Sequence, residues 1–384
     1  MPDEPITPLQ YHLFKEEPDT VPVVVEPLDD AWQERVLADG VVLVTSDDQA
    51  QLVVSGFGIS LGKKSERLTV KQGKTLHLEV PLFRLSDVVV ASRGISVSSD
   101  LVEELCTRGI RLAFLRGGGQ PYAMLTSPML HATVTARRAQ ILAYSDERSV
   151  VFAKMVVTAK LANQERLLRY FGKYLKQADP ERFARVEECV GAIRAMRKKV
   201  PPVRGASVDE ARQSLLSIEG MAGRHYWNAV TIVISQRVEF FGREHRGATD
   251  AVNSLLNYGY GILYAQVWGA VLNAGLEPFA GFLHVDRPGK PSLVLDLVEE
   301  FRQPVVDRAV IAHVNLGEAV TLRDGMLDED TRRRFARRVM ERLEASEPVA
   351  GKRLQVRSII QRQARQLAAF LRNGGRYRPF LFKW

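Results

Sequence analysis

Three short segments in the second half of the chain place carboxylates and an imidazole in apolar surroundings. Glu219 lies among small and apolar residues, and His284 ends a short apolar run. Asp296 and Glu299 lie three residues apart, so on a helix they share a face. A carboxylate in such surroundings is costly unless it is paired or binds a metal ion. Two carboxylates and one imidazole suit Mg²⁺ or Mn²⁺, which polarises a phosphate and activates a bound nucleophile.

The spacing of these residues leaves other interpretations open. A single histidine after an apolar run is more often a structural residue. An Asp–Glu pair on a helix beside Arg302 is usually a solvated or ion-paired face, and Glu219 could form a buried salt bridge with Arg224. A helical face with one histidine is not a zinc motif. Spacing alone therefore makes a metal site one hypothesis among several.

Charge is distributed unevenly along the 384 residues, whose net charge is +8. Residues 1–126 contain 12 Lys and Arg against 18 Asp and Glu, whereas residues 127–384 contain 41 against 27. A basic half joined to an acidic half indicates a polyanionic partner for the basic half, and nucleic acid is the obvious class. The alternative is a basic surface that only keeps the protein in solution.

The features that bear on location are few. The N-terminus lacks a basic segment followed by an apolar stretch, and no apolar run is long enough to span a bilayer. The two cysteines, Cys106 and Cys189, have no metal-binding spacing and fit a reducing compartment. We therefore expect a cytoplasmic protein that does not bind a membrane.

The elements that must position these residues change in type near residues 126–131. Residues 1–40 contain six prolines and 10 acidic against 2 basic residues, which predicts a separate acidic extension. Short β-type runs and one helix, Ser99–Arg108, predict a small β-rich domain over 41–126. The fold class is therefore α+β, with a larger all-α domain over 127–384. Helical apolar spacing occurs in residues 132–178, 208–242, 249–274, 292–321 and 328–373.

Several segments resemble the signature of the universal CRISPR-associated integrase family, the first CRISPR-associated protein, which inserts new spacers. The resemblance extends over about residues 41–384, and its segments occur in the family's order. Its ligand-bearing segments are Glu219-Gly220 with Tyr226-Trp227, Gly281-Phe282-Leu283-His284, and the run from Ser292 through Asp296 and Glu299 to Arg302. Further matching segments are 89–98, 160–164 and 250–260.

This resemblance implies that Glu219, His284 and Glu299 bind Mg²⁺ or Mn²⁺, with Asp296 as a nearby second catalytic acid. It implies a metal-dependent DNA endonuclease and integrase, in which a prespacer 3′-hydroxyl attacks a phosphodiester at the edge of the CRISPR repeat. The implied partners are double-stranded DNA, a second copy bound through the β-rich domain, and the small second CRISPR-associated protein. The alternatives are a structure-specific metal-dependent nuclease that acts alone and a non-catalytic DNA scaffold. The intact set of three ligands argues against the scaffold.

Basic residues in or beside the matching segments are predicted to contact DNA phosphates. Each of them taken singly could equally be a solvated surface charge. They are Arg137, Arg138, Lys160, Arg224, Arg243, Arg246, Arg287, Lys290 and Arg302.

Overall fold

The computed structural model divides the chain into two compact units, Met1–Met129 and Leu130–Trp384. Strands dominate the first unit and helices the second, which confirms the predicted fold class. The residues that the structure describes are 23–24, 33–38, 41–46, 49–116, 119, 121–125, 133–234, 238–244, 250–323 and 325–383.

Two sheets form the first unit. The strands of the larger sheet are, in spatial order, β11 (Pro121–Leu125), β10 (Arg111–Leu115), β8 (Leu85–Val90), β4 (Gln49–Val54), β3 (Val41–Ser46) and β2 (Gln33–Ala38). Those of the smaller sheet are β1 (Val23–Val24), β7 (Thr75–Pro81), β6 (Arg67–Gln72), β5 (Ile59–Lys64) and β9 (Ser96–Val97).

One buried cluster joins the inner faces of these sheets. Successive side chains of a strand point to opposite faces, so each strand can give alternate apolar residues to the core. Leu52 of the larger sheet and Leu61 and Leu68 of the smaller one belong to this cluster. Helix α1 (Ser99–Arg108) adds Leu101 and Leu105, and it ends at Gly109, whose φ of 69° is in the left-handed region that glycine favours.

Two strands lie within the segment that the sequence analysis assigned to an acidic extension. Strand β1 pairs in parallel with β7, and β2 pairs antiparallel with β3, so both extend the sheets of the first unit. These pairings supply hydrogen-bond partners to strands that would otherwise be edges. The rest of residues 1–40 and the predicted domain boundary between 126 and 127 lie outside the described residues.

Helices form most of the second unit. They are α2 (Thr133–Ala143), α3 (Glu147–Gly172), α4 (Leu175–Ala178), α5 (Pro180–Lys198), α6 (Val208–Val233), α7 (Ala251–Asn273), α8 (Ser292–Val298), a π-helical segment (Arg302–Asp307), α9 (Arg308–Asn315), α10 (Glu329–Glu344) and α11 (Val356–Asn373). No helix among the described ranges is both long enough and apolar enough to cross a membrane.

The second unit also contains two short hairpins, which the prediction of an all-α domain did not include. They are β12 (Leu322–Arg323) with β13 (Met326–Leu327), and β14 (Ser346–Val349) with β15 (Lys352–Gln355). The second hairpin turns at Ala350 and Gly351, whose φ angles are 49° and 82°. Two consecutive positive φ angles are what a tight two-residue hairpin turn requires.

Helix α3 is central in the second unit, because it packs against α5, α6 and the π-helical segment. Tyr377, Phe380 and Phe382 of the C-terminal segment are buried. Asn163 of α3 donates hydrogen bonds to the carbonyl oxygens of Glu300 and Phe380. The polypeptide just after α8 is thereby attached to both α3 and the C-terminal segment.

Candidate active site

Two carboxylates from different helices converge on one ammonium group. Glu219 projects from α6, and Glu299 follows the last residue of α8. Nζ of Lys160, on α3, forms an ion pair with Oε1 of Glu219 and lies 2.7 Å from Oε2 of Glu299. Packing of α3 against α6 therefore brings together residues that are 59 positions apart in the sequence.

Glu299 is the more buried of the two acids, at 3% side-chain exposure against 24% for Glu219. Burial by itself would raise the pKa of Glu299, but the charges of Arg302 and Lys160 outweigh that effect and lower the pKa to about 2. Oε1 accepts a hydrogen bond from Nε of Arg302 at 3.0 Å, whereas the buried Oε2 has the ammonium of Lys160 as its partner at 2.7 Å. Glu299 is therefore charged near neutral pH, and a ligand at Oε2 would replace Lys160.

Asp296 fixes the loop that carries His284. Its Oδ2 accepts hydrogen bonds from the backbone amides of Phe282 and Leu283, at 2.6 Å and 3.0 Å. Its Oδ1 accepts one from the amide of His284 at 2.9 Å and lies 2.7 Å from Nδ1 of the same residue. Because Asp296 already accepts from three amides, we assign Nδ1 as a donor to it. The other ring nitrogen, Nε2, is then the one left to bind a ligand.

Asp296 thus differs from the second catalytic acid implied by the resemblance. Its side chain is fully buried beneath the loop, and it is not among the described residues that line the cavity around Glu219 and His284. Its carboxylate has four donors, all from residues 282–284, so it positions the imidazole and does not face the cavity. The position of Asp296 three residues before Glu299 could not distinguish these two roles.

The loop approaches α8 closely, and Gly281 makes this approach feasible. A Cβ atom at Gly281 would lie 2.6 Å from the carbonyl carbon of Ser292, so a larger residue would push the loop away. The amide of Gly281 donates to Oγ of Ser292 at 2.8 Å, and that hydroxyl donates to the carbonyl of Phe279 at 2.6 Å. These bonds hold the start of α8 against the loop that ends in His284.

Arg302 connects Glu299 to a buried aromatic layer on α7. Its guanidinium lies over the ring of Tyr260, 4.7 Å from the centroid, and Nη2 donates to the hydroxyl of Tyr264 at 2.7 Å. The hydroxyl groups of Tyr260 and Tyr226 both donate to Asp307. Tyr226 and Tyr260 lie in segments that resemble the family signature, but no residue pattern indicates these contacts, because they arise from tertiary packing.

A cavity of about 670 Å³ contains Lys160, Glu219, His284 and Glu299 in its wall. The wall also includes polar, basic and aromatic groups from α6, from the segment before α7, from α7 itself and from the π-helical segment. These further described residues include Arg224, Trp227, Asn228, Thr231, Phe241, Arg243, Tyr260 and Arg302. The cavity is large enough for part of a nucleotide chain, and its cations and aromatic rings match the phosphates and bases of such a chain.

The residues predicted to contact DNA divide into groups. Arg224 and Arg243 line the cavity, and Arg243 also donates to the amide oxygens of Asn253 and Asn257, at 2.9 Å and 2.7 Å. Lys160 and Arg302 line it too, but both are ion-paired with Glu299.

The other predicted DNA-contacting residues are not in the wall of this cavity. They are Arg137, which lies 3.8 Å from Glu277, together with Arg138, Arg287 and Lys290. Arg246 lies outside the described residues.

Glu219, His284 and Glu299 are the side chains of the cavity wall that could bind a divalent metal ion. The carboxylates of Glu219 and Glu299 and the imidazole of His284 are suitable ligands for Mg²⁺ or Mn²⁺. In the described part of the chain, no three His, Cys, Asp or Glu side chains are close enough together to hold a metal ion as they stand. The ammonium of Lys160 lies between Glu219 and Glu299. The donor chemistry suits a divalent ion, which would take the place of this ammonium.

Comparison with known proteins gives one consistent result. The family described as CRISPR associated protein Cas1 matches residues 52–341. The CRISPR-associated endonuclease Cas1 1 of Archaeoglobus fulgidus is 38% identical over 347 residues, which cover 87% of this chain and 100% of the relative. The protein of the same name from Francisella tularensis subsp. novicida is 36% identical, covering 87% of this chain and 99% of the relative.

Solved structures share the fold at lower sequence identity. A casposase bound to its integration product has a TM-score of 0.70 and 20% identity, covering 84% of this chain and 91% of the casposase. A Cas1 protein from Thermotoga maritima has a TM-score of 0.67 and 20% identity, covering 83% of this chain and 96% of that protein. A chain of a Cas6-RT-Cas1–Cas2 complex has a TM-score of 0.70 and 19% identity, covering 87% of this chain and 36% of that one.

Proposed function

The chain belongs to the Cas1 family of CRISPR-associated proteins, and from this premise we propose that it is a DNA endonuclease and integrase of spacer acquisition. The reaction is a transesterification, in which a prespacer 3′-hydroxyl attacks a phosphodiester at the edge of the CRISPR repeat. The observation that carries the proposal is that Glu219 and Glu299 converge on one cation, in a cavity that also contains His284. The relatives with the highest identity quoted above are named endonucleases.

We further propose that Glu219, His284 and Glu299 hold a Mg²⁺ or Mn²⁺ ion. When bound, such an ion polarises the scissile phosphate and lowers the pKa of the nucleophile. The charges of Arg302 and Lys160 keep Glu299 ionised, because they lower its pKa to about 2. Asp296 holds the imidazole of His284 by Nδ1, so the ring is oriented before any ligand arrives.

Lys160 has two roles in this proposal. Without a metal ion its ammonium neutralises Glu219 and Glu299, whose mutual repulsion would otherwise destabilise the site. If Glu219 and Glu299 held a metal ion, the Lys160 ammonium would no longer be needed between them and would still lie in the wall of the same cavity. There it can contact the phosphate that reacts, together with Arg224 and Arg243.

The proposed partners are prespacer and repeat DNA, a second copy of the chain, and Cas2. Insertion of a spacer needs two strand transfers at opposite ends of a repeat, and one site performs one of them. Two sites on a common scaffold make the second attack effectively intramolecular. A structural neighbour is a complex that contains both Cas1 and Cas2, which favours this assembly over a nuclease that acts alone.

The proposal is tested by strand transfer of a labelled prespacer duplex into a plasmid that contains a CRISPR array. We expect Glu219→Ala, His284→Ala and Glu299→Ala each to abolish strand transfer in Mn²⁺ while the circular-dichroism spectrum stays that of the wild type. Lys154→Met on α3 is the control, because Lys154 bonds to backbone carbonyls of residues 201 and 203, away from the cavity. Full activity of the three folded variants would exclude this site.

The same assay separates the integrase from a nuclease that acts alone. We expect joining at both ends of the repeat to require added Cas2, whereas nicking of branched DNA does not. Two-ended integration without Cas2, or a chain that is monomeric by light scattering at micromolar concentration, contradicts the proposed assembly.

A further inference from the structure

A second cavity, of about 360 Å³, lies between helices α3 and α5. Four arginines line it, Arg166 and Arg169 from α3 and Arg194 and Arg197 from α5. Glu165 is the one carboxylate among the described lining residues, and Ala162 is the remaining one. The wall therefore carries four positive charges against one negative charge.

The contacts inside this cavity leave much of the guanidinium surface unused. Glu165 is buried and accepts from Nε of Arg194 at 3.3 Å and from Nε of Arg197 at 2.7 Å. Both arginines bond to it through Nε, so their terminal nitrogens remain available to another acceptor. Arg166 donates through Nη1 to the carbonyl of Phe382 at 2.6 Å.

Arg169 is the least constrained of the four. Its Nε is 4.0 Å from Oε1 of Glu187, and its side chain is 48% exposed. The side chains of Arg194 and Arg197 are 39% and 37% exposed, so the cavity opens to solvent. Burial and the charge of the neighbouring Arg197 lower the pKa of Arg166. An anion bound among these cations relieves the repulsion between them.

This arginine cavity is separate from the candidate active site. Arg169 follows Lys160 by nine residues, and at about 3.6 residues per turn this places it roughly half a turn away around α3. The two cavities have no lining residue in common among those described. The arginine cavity therefore lies on the opposite face of α3 from Glu219 and Glu299.

We propose that the arginine cavity binds a DNA backbone phosphate, as a second contact point for the duplex away from the reacting end. Planar guanidinium groups match phosphate oxygens in pairs, and a site that lacks base-reading groups contacts DNA of any sequence. This inference rests on the proposed function for its choice of DNA as the anion. It adds Arg169 and Arg194 to the DNA-contacting residues, neither of which lies in the segments that resemble the family signature.

The test is the salt dependence of binding to a fluorescein-labelled duplex of about 30 base pairs, measured by anisotropy with the full-length protein. The variant is Arg169→Gln with Arg194→Gln, which leaves Arg197 bonded to Glu165 and Arg166 bonded to Phe382. The charge-matched control is Arg185→Gln with Lys198→Gln, two cations on α5 that do not line the cavity. Each phosphate contact contributes about 0.9 to the slope of log K against log salt.

We expect the arginine variant to bind roughly tenfold more weakly at about 0.1 M salt, with a slope shallower by about 1, while the control keeps the wild-type slope. Equal slopes in the two double variants overturn the inference. A second result also overturns the inference: inorganic phosphate raises the melting temperature of the wild type, but the arginine variant binds DNA as the wild type does. That result indicates a site for a free anion.

A third variant separates this inference from the proposed function. Glu299→Ala should lose strand transfer and keep the wild-type salt slope, whereas the arginine variant should recover strand transfer at saturating DNA. If the arginine variant loses strand transfer even at saturating DNA, the cavity acts in catalysis and not as a remote contact, which contradicts the inference. If Glu299→Ala keeps strand transfer, the proposed active site is wrong. The salt slopes still test the arginine cavity in that case.

Discussion

Replacing Lys160 by methionine tests whether its ammonium holds the candidate active site together in the absence of metal. Methionine keeps most of the side-chain volume but leaves Glu219 and Glu299 facing each other with no cation between them. At the 2.7 Å separation from Glu299, Coulomb attraction at an effective dielectric constant of about 20 is roughly 6 kcal/mol before desolvation is subtracted. Removal of one partner from a buried ion pair typically costs about 3 to 5 kcal/mol.

We therefore expect the metal-free Lys160→Met protein to be less stable than the wild type by about 3 kcal/mol or more. For a unit of this size, such a loss lowers the melting temperature by about 6 to 12 °C. Mn²⁺ should restore much of the difference, because a divalent ion between the carboxylates replaces the missing charge. The measurement is thermal unfolding in a chelator and in a series of Mn²⁺ concentrations, with binding by calorimetry as a second readout.

Two controls make this result specific. Lys154→Met removes a lysine from the same helix without touching either carboxylate, so its melting temperature should depend on Mn²⁺ as the wild type's does. The double variant Lys160→Met with Glu219→Gln removes the repulsion as well, and it should be more stable in chelator than Lys160→Met alone. Lys160 has no such role if Lys160→Met unfolds at the wild-type temperature in chelator and gains no more stability from Mn²⁺ than the wild type does.

Two further predictions concern residues that lie behind the site. Asp296→Asn should reduce metal affinity and strand transfer by roughly 10- to 100-fold, because the imidazole of His284 loses its orienting acceptor; unchanged Mn²⁺ affinity by calorimetry contradicts this. Burial raises the pKa of Glu300 to about 7 from its usual 4.5. The neutral carboxyl therefore contributes to the free energy of unfolding in full below about pH 4.5, and this contribution is lost as the pH rises through 7. Urea unfolding at pH 5 and pH 8 should therefore show the wild type losing up to about 3 kcal/mol more than Glu300→Gln, and equal losses in the two proteins exclude this role.

Local sequence signals were sufficient for much of the fold. Helix α1 has the predicted bounds, and Gly109, in the left-handed region that glycine favours, directly follows its last residue. Helix α5 was missed although similar signals were present. Asp179 caps its N-terminus, Pro180 is its first residue, and Val186, Cys189 and Ile193 form a buried face. Many charged residues surround that narrow apolar face and obscured its helical period.

The hairpin of β14 and β15 was missed for the opposite reason. It interrupts a stretch whose flanking residues, in α10 and α11, have strong helical spacing. Its marker is the pair Ala350 and Gly351, and alanine does not normally signal a turn with positive φ. The predicted helical stretch, residues 328–373, therefore included the turn between the two helices.

For the candidate site, the resemblance selected Glu219, His284 and Glu299, and the structure places all three in the wall of one cavity. Their mutual contacts required tertiary information. The bridge from Lys160 depends on how α3 packs against α6, and the role of Asp296 depends on three amides of a loop more than ten residues earlier. No pattern of residue types in either segment specifies these contacts.

Glu299 and Glu300 show why burial alone does not decide what a buried acid does. They are adjacent in the chain and both are almost fully buried, yet the pKa is lowered to about 2 for the first and raised to about 7 for the second. Two cations neighbour Glu299. Glu300 accepts instead from three neutral donors, the hydroxyl of Tyr377, the side-chain amide of Gln363 and the backbone amide of Phe380.

Neutral donors offset only part of the cost of burying the charge of Glu300, whereas the two cations beside Glu299 outweigh the cost of burying its charge. The turn after α8 thus places the charged carboxylate of Glu299 in the cavity wall. The next residue, Glu300, accepts hydrogen bonds from Tyr377 and Phe380 and so holds the C-terminal segment. Because Asn163 of α3 also bonds to the carbonyl of Glu300, the same turn is fixed to the helix that carries Lys160. The position of Glu299 relative to Lys160 is therefore determined by the packing of the C-terminal segment as well as by α8 itself.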